Sequence, residues 1–231
     1  MFSQIRKELP QMTIEVIEER DYNLILITQT WEIVYNELHF HELRKYQNTV
    51  TNIIYSIWNN KCYFKVRGNS KFANKHKKTR FKLQFKIIWS TSPNSNWKVY
   101  IHRKDTRSYV RWYAREIHFD LFDIDLQEKI GSDGNILQYP VAHEFGHTIG
   151  LVKFSRPLLS FNPNYPWGTL HADEYETNSS KENKFRRPFI NDRRSIMNIG
   201  NELRERHMDY ILQELNTLLL GTEFYISTLL K

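Results

Sequence analysis

His143, Glu144 and His147 stand in the spacing H-E-x-x-H inside the stretch VAHEFGHTIGL, residues Val141 to Leu151. On an α-helix, positions four apart share a face, so the two imidazoles lie one turn above the other with a carboxylate beside them. Neutral imidazole is the commonest metal ligand among side chains, and a catalytic zinc takes three protein ligands and keeps a fourth position for water. The spacing therefore predicts His143 and His147 as zinc ligands and Glu144 as the group that accepts a water proton. Neither histidine can do that work while its lone pair is committed to a metal. The blander alternative is a pair of hydrogen-bonded surface histidines on an ordinary helix.

Two more features extend the pattern. Gly150 completes H-E-x-x-H-x-x-G, and Ser195-Ile196-Met197-Asn198 follows 50 residues after His147. Together they resemble the metzincin zinc peptidases, in which a tight turn at the glycine brings a His or Asp three residues on to the metal and a methionine turn lies beneath it. The resemblance implies peptide-bond hydrolysis by a zincin-like domain, with Met197 in the Met-turn. This chain departs from the family in two places. The third-ligand position holds Lys153, whose ammonium cannot ligate without losing its proton, and the usual tyrosine two residues past the methionine is Ile199.

A narrower resemblance is to bacterial metzincin-like toxin and effector peptidases, which carry Asp-Glu-Tyr after the zinc helix and Arg-x-Arg-His after the Met-turn. Here the corresponding residues are Asp173-Glu174-Tyr175 and Arg204-Glu205-Arg206-His207. This likeness implies Asp173 as the third zinc ligand, placed behind an inserted loop over 153–172, and a role as toxin or effector. His171, Glu174 and His207 stay open as alternative ligands or site residues.

The elements that must position these groups are legible in outline. Thr13 to Glu18 alternates as a short strand, and Asn23 to Thr28 reads as a buried one. Apolar residues at helical spacing between Ile33 and Trp58 predict a long helix. Four strand-like runs follow, Cys62 to Val66, Phe81 to Trp89, Trp97 to His102 and Tyr109 to Phe119, and they are expected to form one mixed sheet. From Leu137 the pattern turns helical through the zinc motif, with Gly150 as its stop. Residues 154–168 are rich in Pro and aromatics and read as an irregular loop. Leu203, His207, Ile211, Leu215 and Leu218 mark a final helix. The layout is α+β: a single domain over residues 1–231, with a sheet covered by the long N-terminal helix and the zinc helix, and a helix after the Met-turn.

Composition sets outer bounds. Hydrophobic residues make up 40% of the 231 and aromatics 14%, which argues for a folded core and against disorder. One cysteine, Cys62, cannot form an internal disulfide. No apolar run reaches the roughly 18 residues of a membrane span, and the first dozen residues lack a signal-peptide core. The localisation is left undetermined, with cytoplasm or a non-classical export route both open. A net charge of +7 favours acidic partners, whether nucleic acid, an anionic membrane surface or an acidic protein surface, without choosing among them; the partner expected from the motif is a protein or peptide substrate.

Residues 61 to 86 hold ten Lys and Arg with no Asp or Glu, interleaved with Tyr63, Phe64, Phe72, Phe81 and Phe85. That stretch supports a rival reading, a nucleic-acid-binding protein with a structural zinc. Lys153 supports another, an inactive peptidase-like scaffold. Asp120, Asp123, Asp125, Glu128 and Asp133 are expected to be solvated loop carboxylates, because their spacing fails the EF-hand pattern. Tyr109 to Trp112 is a candidate edge strand for pairing with an extended peptide.

Overall fold

Strands with one buried and one wetter face dominate the molecule, and two helices close the buried face. The computed structural model describes residues 4–18, 23–103, 107–131, 134–153, 167–169 and 191–230. In chain order the elements are β1 (Gln4–Leu9), β2 (Met12–Glu18), β3 (Asn23–Asn36), α1 (Phe40–Trp58), β4 (Cys62–Gly68), α2 (Lys71–Lys75), β5 (Phe81–Ser90), β6 (Trp97–His102), β7 (Tyr109–Arg111), β8 (Glu116–Asp120), β9 (Gln127–Gly131), β10 (Gly134–Gln138), α3 (Pro140–Thr148), β11 (Leu151–Lys153), β12 (Trp167–Thr169), α4 (Asp209–Leu215) and β13 (Thr222–Leu229). Short 3-10 turns lie at Leu121–Ile124 and Glu205–Met208.

Nine strands form one mixed sheet in the order β13-β4-β5-β3-β6-β8-β7, with the β1–β2 hairpin joined to β3 through β2. The centre is parallel: β3 pairs with β5 and β6, and β6 with β8. The flanks β4, β13 and β7 run antiparallel to their neighbours. At 14 residues β3 is the spine, pairing with β2 along its first half and with β6 along its last part. Its inward residues Ile25, Ile27 and Trp31 are fully buried with Phe81 and Leu83 of β5 and Val99 and Ile101 of β6.

Val50, Ile54 and Trp58, spaced four apart on α1, are likewise fully buried and meet α3 over the sheet. Phe145 of α3 sits between the layers, with ring centroids 5.2 Å from Phe85, 5.5 Å from Trp58 and 6.4 Å from Trp31. Such offset and edge-on contacts are the favoured geometry for aromatic pairs.

Several boundaries differ from those expected. Ile33 to Asn36 are strand, because β3 runs on to pair with β6, and the helix begins at Phe40, where Glu42 accepts the His39 amide. The run from Tyr109 to Phe119 is two strands, folded back at Arg115, whose φ is 54°. Leu137 belongs to β10, and the helix that carries the H-E-x-x-H motif starts at Pro140, whose fixed φ suits a first turn. Trp167 and Gly168 lie in β12, paired with β11. The last element is a strand: α4 ends at Leu215, and β13 then pairs with β4 on the sheet edge.

The basic stretch occupies β4, α2 and β5. Phe64, Phe81 and Phe85 of that stretch point into the core, so those three rings are packed away from solvent while the lysines line the outside. Among the described residues no helix is long and apolar enough to cross a membrane.

Phe145→Ala would empty the space between α1, α3 and the sheet. Phenylalanine-to-alanine changes in cores cost about 3–5 kcal/mol, and urea unfolding monitored by tryptophan fluorescence is expected to show a loss of that size.

Candidate functional site

The site is built where α3 crosses the Met-turn. His143 Nδ1 lies 2.7 Å from the carbonyl oxygen of Ile196, which fixes the tautomer: Nδ1 carries the proton and donates it, leaving the Nε2 lone pair for a metal. The Nε2 atoms of His143 and His147 are 3.3 Å apart, with ring planes at 80°. A tetrahedral zinc with Zn–N bonds of about 2.0–2.1 Å separates two ligand nitrogens by about 3.3–3.4 Å. The pair therefore fits such an ion without rearrangement.

Glu144 is buried beside them, and its Oε2 finds no hydrogen-bond partner among the described residues. Burial pushes its carboxyl up to about 8, helped by the nearby Asp123 charge and opposed by a Ser108 hydrogen bond and by Arg107 and Lys129. An unsatisfied buried oxygen of this kind is costly in an ordinary core and serves a purpose at a site that binds water or a cation.

All three side chains open onto a cleft of about 500 Å³ whose other walls come from β7, Lys129, Gln138, Pro140, Asn198 and Ile199. β7 is the edge strand of the sheet next to this cleft, as the run from Tyr109 suggested. Its entry is anchored: Ser108 donates to Asp123 Oδ1 at 3.3 Å, and Asp123 Oδ2 accepts the Asp120 amide at 2.7 Å. Asp120 and Asp123 are thus buried capping groups, contrary to the expectation of solvated carboxylates. Their short side chains satisfy the backbone of a tight turn that Tyr46 of α1 also holds, through the Asp120 carbonyl. Burial lifts Asp123 to about 7.

The Met-turn is locked from three sides. Met197 is fully buried against α3, where a Cβ placed on Gly146 would come within 2.1 Å of its sulfur. Gln138, the last residue of β10, points its amide nitrogen at the carbonyls of Ile196, Asn198 and Gly200, at 2.9–3.1 Å. Asn201 accepts the Tyr139 amide and donates to the Leu137 carbonyl, tying the turn to the same short segment. Neither Gln138 nor Asn201 is marked by the motif. Only their place at the two ends of the H-E-x-x-H and Met-turn segments could have drawn notice.

His207 is fully buried behind the turn. Its Nδ1 accepts the Arg204 amide, so Nε2 bears the proton and donates to Ser195 Oγ at 3.1 Å, while the same Oγ accepts the Met197 amide. Both ring nitrogens are thereby engaged in holding the turn, and His207 is not among the residues lining the cleft. Arg204 meets Asp192 through two bonds and Arg206 adds a third, at 2.6–2.8 Å. These guanidiniums hold the Asp192 carboxyl below its ordinary range. The Arg-x-Arg-His segment is therefore a clamp on the Met-turn. Trp58 adds a bond from its indole to the Ala142 carbonyl on α3.

Gly150 has φ of 155°, and the Tyr210 ring fills the space a side chain would need. Beyond it the chain enters β11, where Lys153 pairs with Trp167. Asp173, His171 and Glu174 lie outside the described residues. Among those described, no group of three or more His, Cys, Asp or Glu converges as a metal site, so the site shown is two imidazoles and a carboxylate.

Gly146→Ala would drive a methyl group into Met197. Overpacking of this kind costs about 1–3 kcal/mol, and the variant is expected to unfold at lower denaturant. Adding Met197→Ala should recover part of the loss; an unchanged Gly146→Ala protein would deny the contact. Compared with known proteins, the chain matches no family model and no curated protein.

Proposed function

We propose that the protein is a zinc-dependent endopeptidase with a metzincin-like catalytic domain. The observation that carries this reading is the His143–His147 pair, with Nε2 atoms at the separation of two zinc ligands and an unpaired Glu144 carboxylate oxygen beside them in an open cleft. His143 and His147 hold the metal on this reading, and Asp173 is the proposed third ligand, with His171 and Glu174 as its neighbours in sequence. The zinc, when bound, supplies Lewis-acid polarisation and lowers the pKa of a coordinated water to about 7.

Glu144 takes the proton from the attacking water and passes it to the leaving amine, since its Oε2 is the one oxygen of the group not already committed. The exposed edge of β7 hydrogen-bonds the extended peptide alongside the cleft, in the manner of strand addition. The Met-turn, Gln138 and the His143–Ile196 bond keep the imidazole aimed while this happens. A toxin or effector role is part of the same proposal and rests on the likeness of the Asp-Glu-Tyr and Arg-x-Arg-His segments alone.

Glu144→Gln is expected to keep zinc, measured by metal analysis after gel filtration, while peptide hydrolysis falls at least 10²- to 10⁴-fold, the range for losing a general base. His143→Ala should lose zinc and activity together. Full activity in the Glu144 variant would sink the proposal.

A further inference from the structure

The cleft carries two cations that the proposed chemistry leaves unused. Arg107 and Lys129 line it from different elements: Arg107 stands just ahead of β7, and Lys129 lies on β9, in the hairpin that leads into Gln138 and the zinc helix. The Lys129 ammonium is steadied by a 2.9 Å bond to Gln127 Oε1.

Most arginines around the fold are matched to carboxylates, as in Arg67–Glu223, Arg103–Glu42, Arg111–Glu116 and Arg204–Asp192. Among the described residues neither Arg107 nor Lys129 belongs to an ion pair. The rest of the cleft wall outside the catalytic trio is uncharged, made of Ser108, Tyr109, Val110, Gln138 and their neighbours. Two cations lining one cleft, neither of them held in an ion pair among the described residues, can bind an added anion.

We infer that Arg107 and Lys129 form a carboxylate-reading subsite, so that the peptide bond presented to Glu144 lies next to an acidic group of the substrate. This deepens the zinc-peptidase reading and rests on it. The carboxylate comes either from an Asp or Glu side chain beside the scissile bond or from a free chain terminus. Arg107 is the stronger determinant, because it is exposed and its planar guanidinium can bind a carboxylate through two parallel bonds, whereas Lys129 is a half-buried point charge already near Asp123.

The test uses the full-length zinc-loaded protein and a library of amidated peptides in which each position holds Glu, Gln or Lys, together with the neutral members as free acids. Glu peptides are expected to exceed Gln peptides in kcat/KM by about tenfold, roughly the worth of one charge-assisted contact in part-exposed surroundings. The margin should shrink as salt is raised. It should vanish in Arg107→Gln/Lys129→Gln and turn toward Lys peptides in Arg107→Glu/Lys129→Glu, an inversion that a misfolded variant cannot produce.

A preference for the free acid over the amide, lost in the same variants, assigns the subsite to a chain terminus. Equal cleavage of all forms overturns the inference and leaves the peptidase reading standing. Binding of fluorescent Glu and Gln peptides to the Glu144→Gln protein, read by anisotropy, separates the reverse case. Tighter binding of the Glu peptide with no cleavage by the native protein defeats the peptidase reading and upholds the carboxylate subsite.

Discussion

The hydrogen bond from His143 Nδ1 to the Ile196 carbonyl joins the two halves of the site, and little else in the cleft would keep its shape without it. It sets the tautomer of the His143 imidazole and at the same time ties the turn at Met197 to α3. The neighbouring bonds serve that one contact. Gln138 gathers the carbonyls of the turn, the Met197 side chain occupies the space that Gly146 leaves on α3, and Ser195, His207 and the Asp192 clamp support the turn from behind. A loose turn would let the ring rotate, and a ligand that rotates binds its metal weakly.

Electrostatic layering follows from the same arrangement. The deep wall of the cleft is the Glu144 carboxyl, raised by its own burial and further by the charge of Asp123, which burial raises in turn. The outer wall is cationic. Ser108 links the two layers, since it bonds Asp123, acts on the Glu144 carboxyl and lies just ahead of β7. Position on β7 and charge at Glu144 are thus coupled through a single hydroxyl.

How much of this was legible depended on whether a residue's role was local. His143, Glu144 and His147 declare themselves because a helix turns fixed spacing into fixed geometry, and Met197 could be picked out because its motif is short. The alternating runs of β4, β5 and β6 were equally readable. Gln138, Asn201, Ser108 and Asp123 were not, because each acts across the chain on backbone groups that no spacing rule connects to it. The helix of α1 was placed too early since Ile33 and Val34 fit a helical stripe as well as a strand, and only pairing with β6 decides between them. His207 kept its apolar-stripe position but has both nitrogens in the turn, a distinction that periodicity cannot draw. Asp173, His171 and Glu174 fall beyond the described residues.

The long spine β3 has a kinetic consequence. Leu24 pairs with Lys82 and Trp31 with both Trp89 and Trp97, so the parallel centre of the sheet forms only after distant segments meet. Contacts of that kind carry a loop-closure cost before they repay it, and they slow folding. α3 packs on this sheet, through Gln29 and Trp31 against Thr148 and Phe145, and the turn at Met197 packs on α3. The contact between His143 and Ile196 therefore depends on the sheet being in place beneath α3. The helix alone gives the two imidazoles their spacing, but the bond that orients the His143 ring exists only in the finished fold.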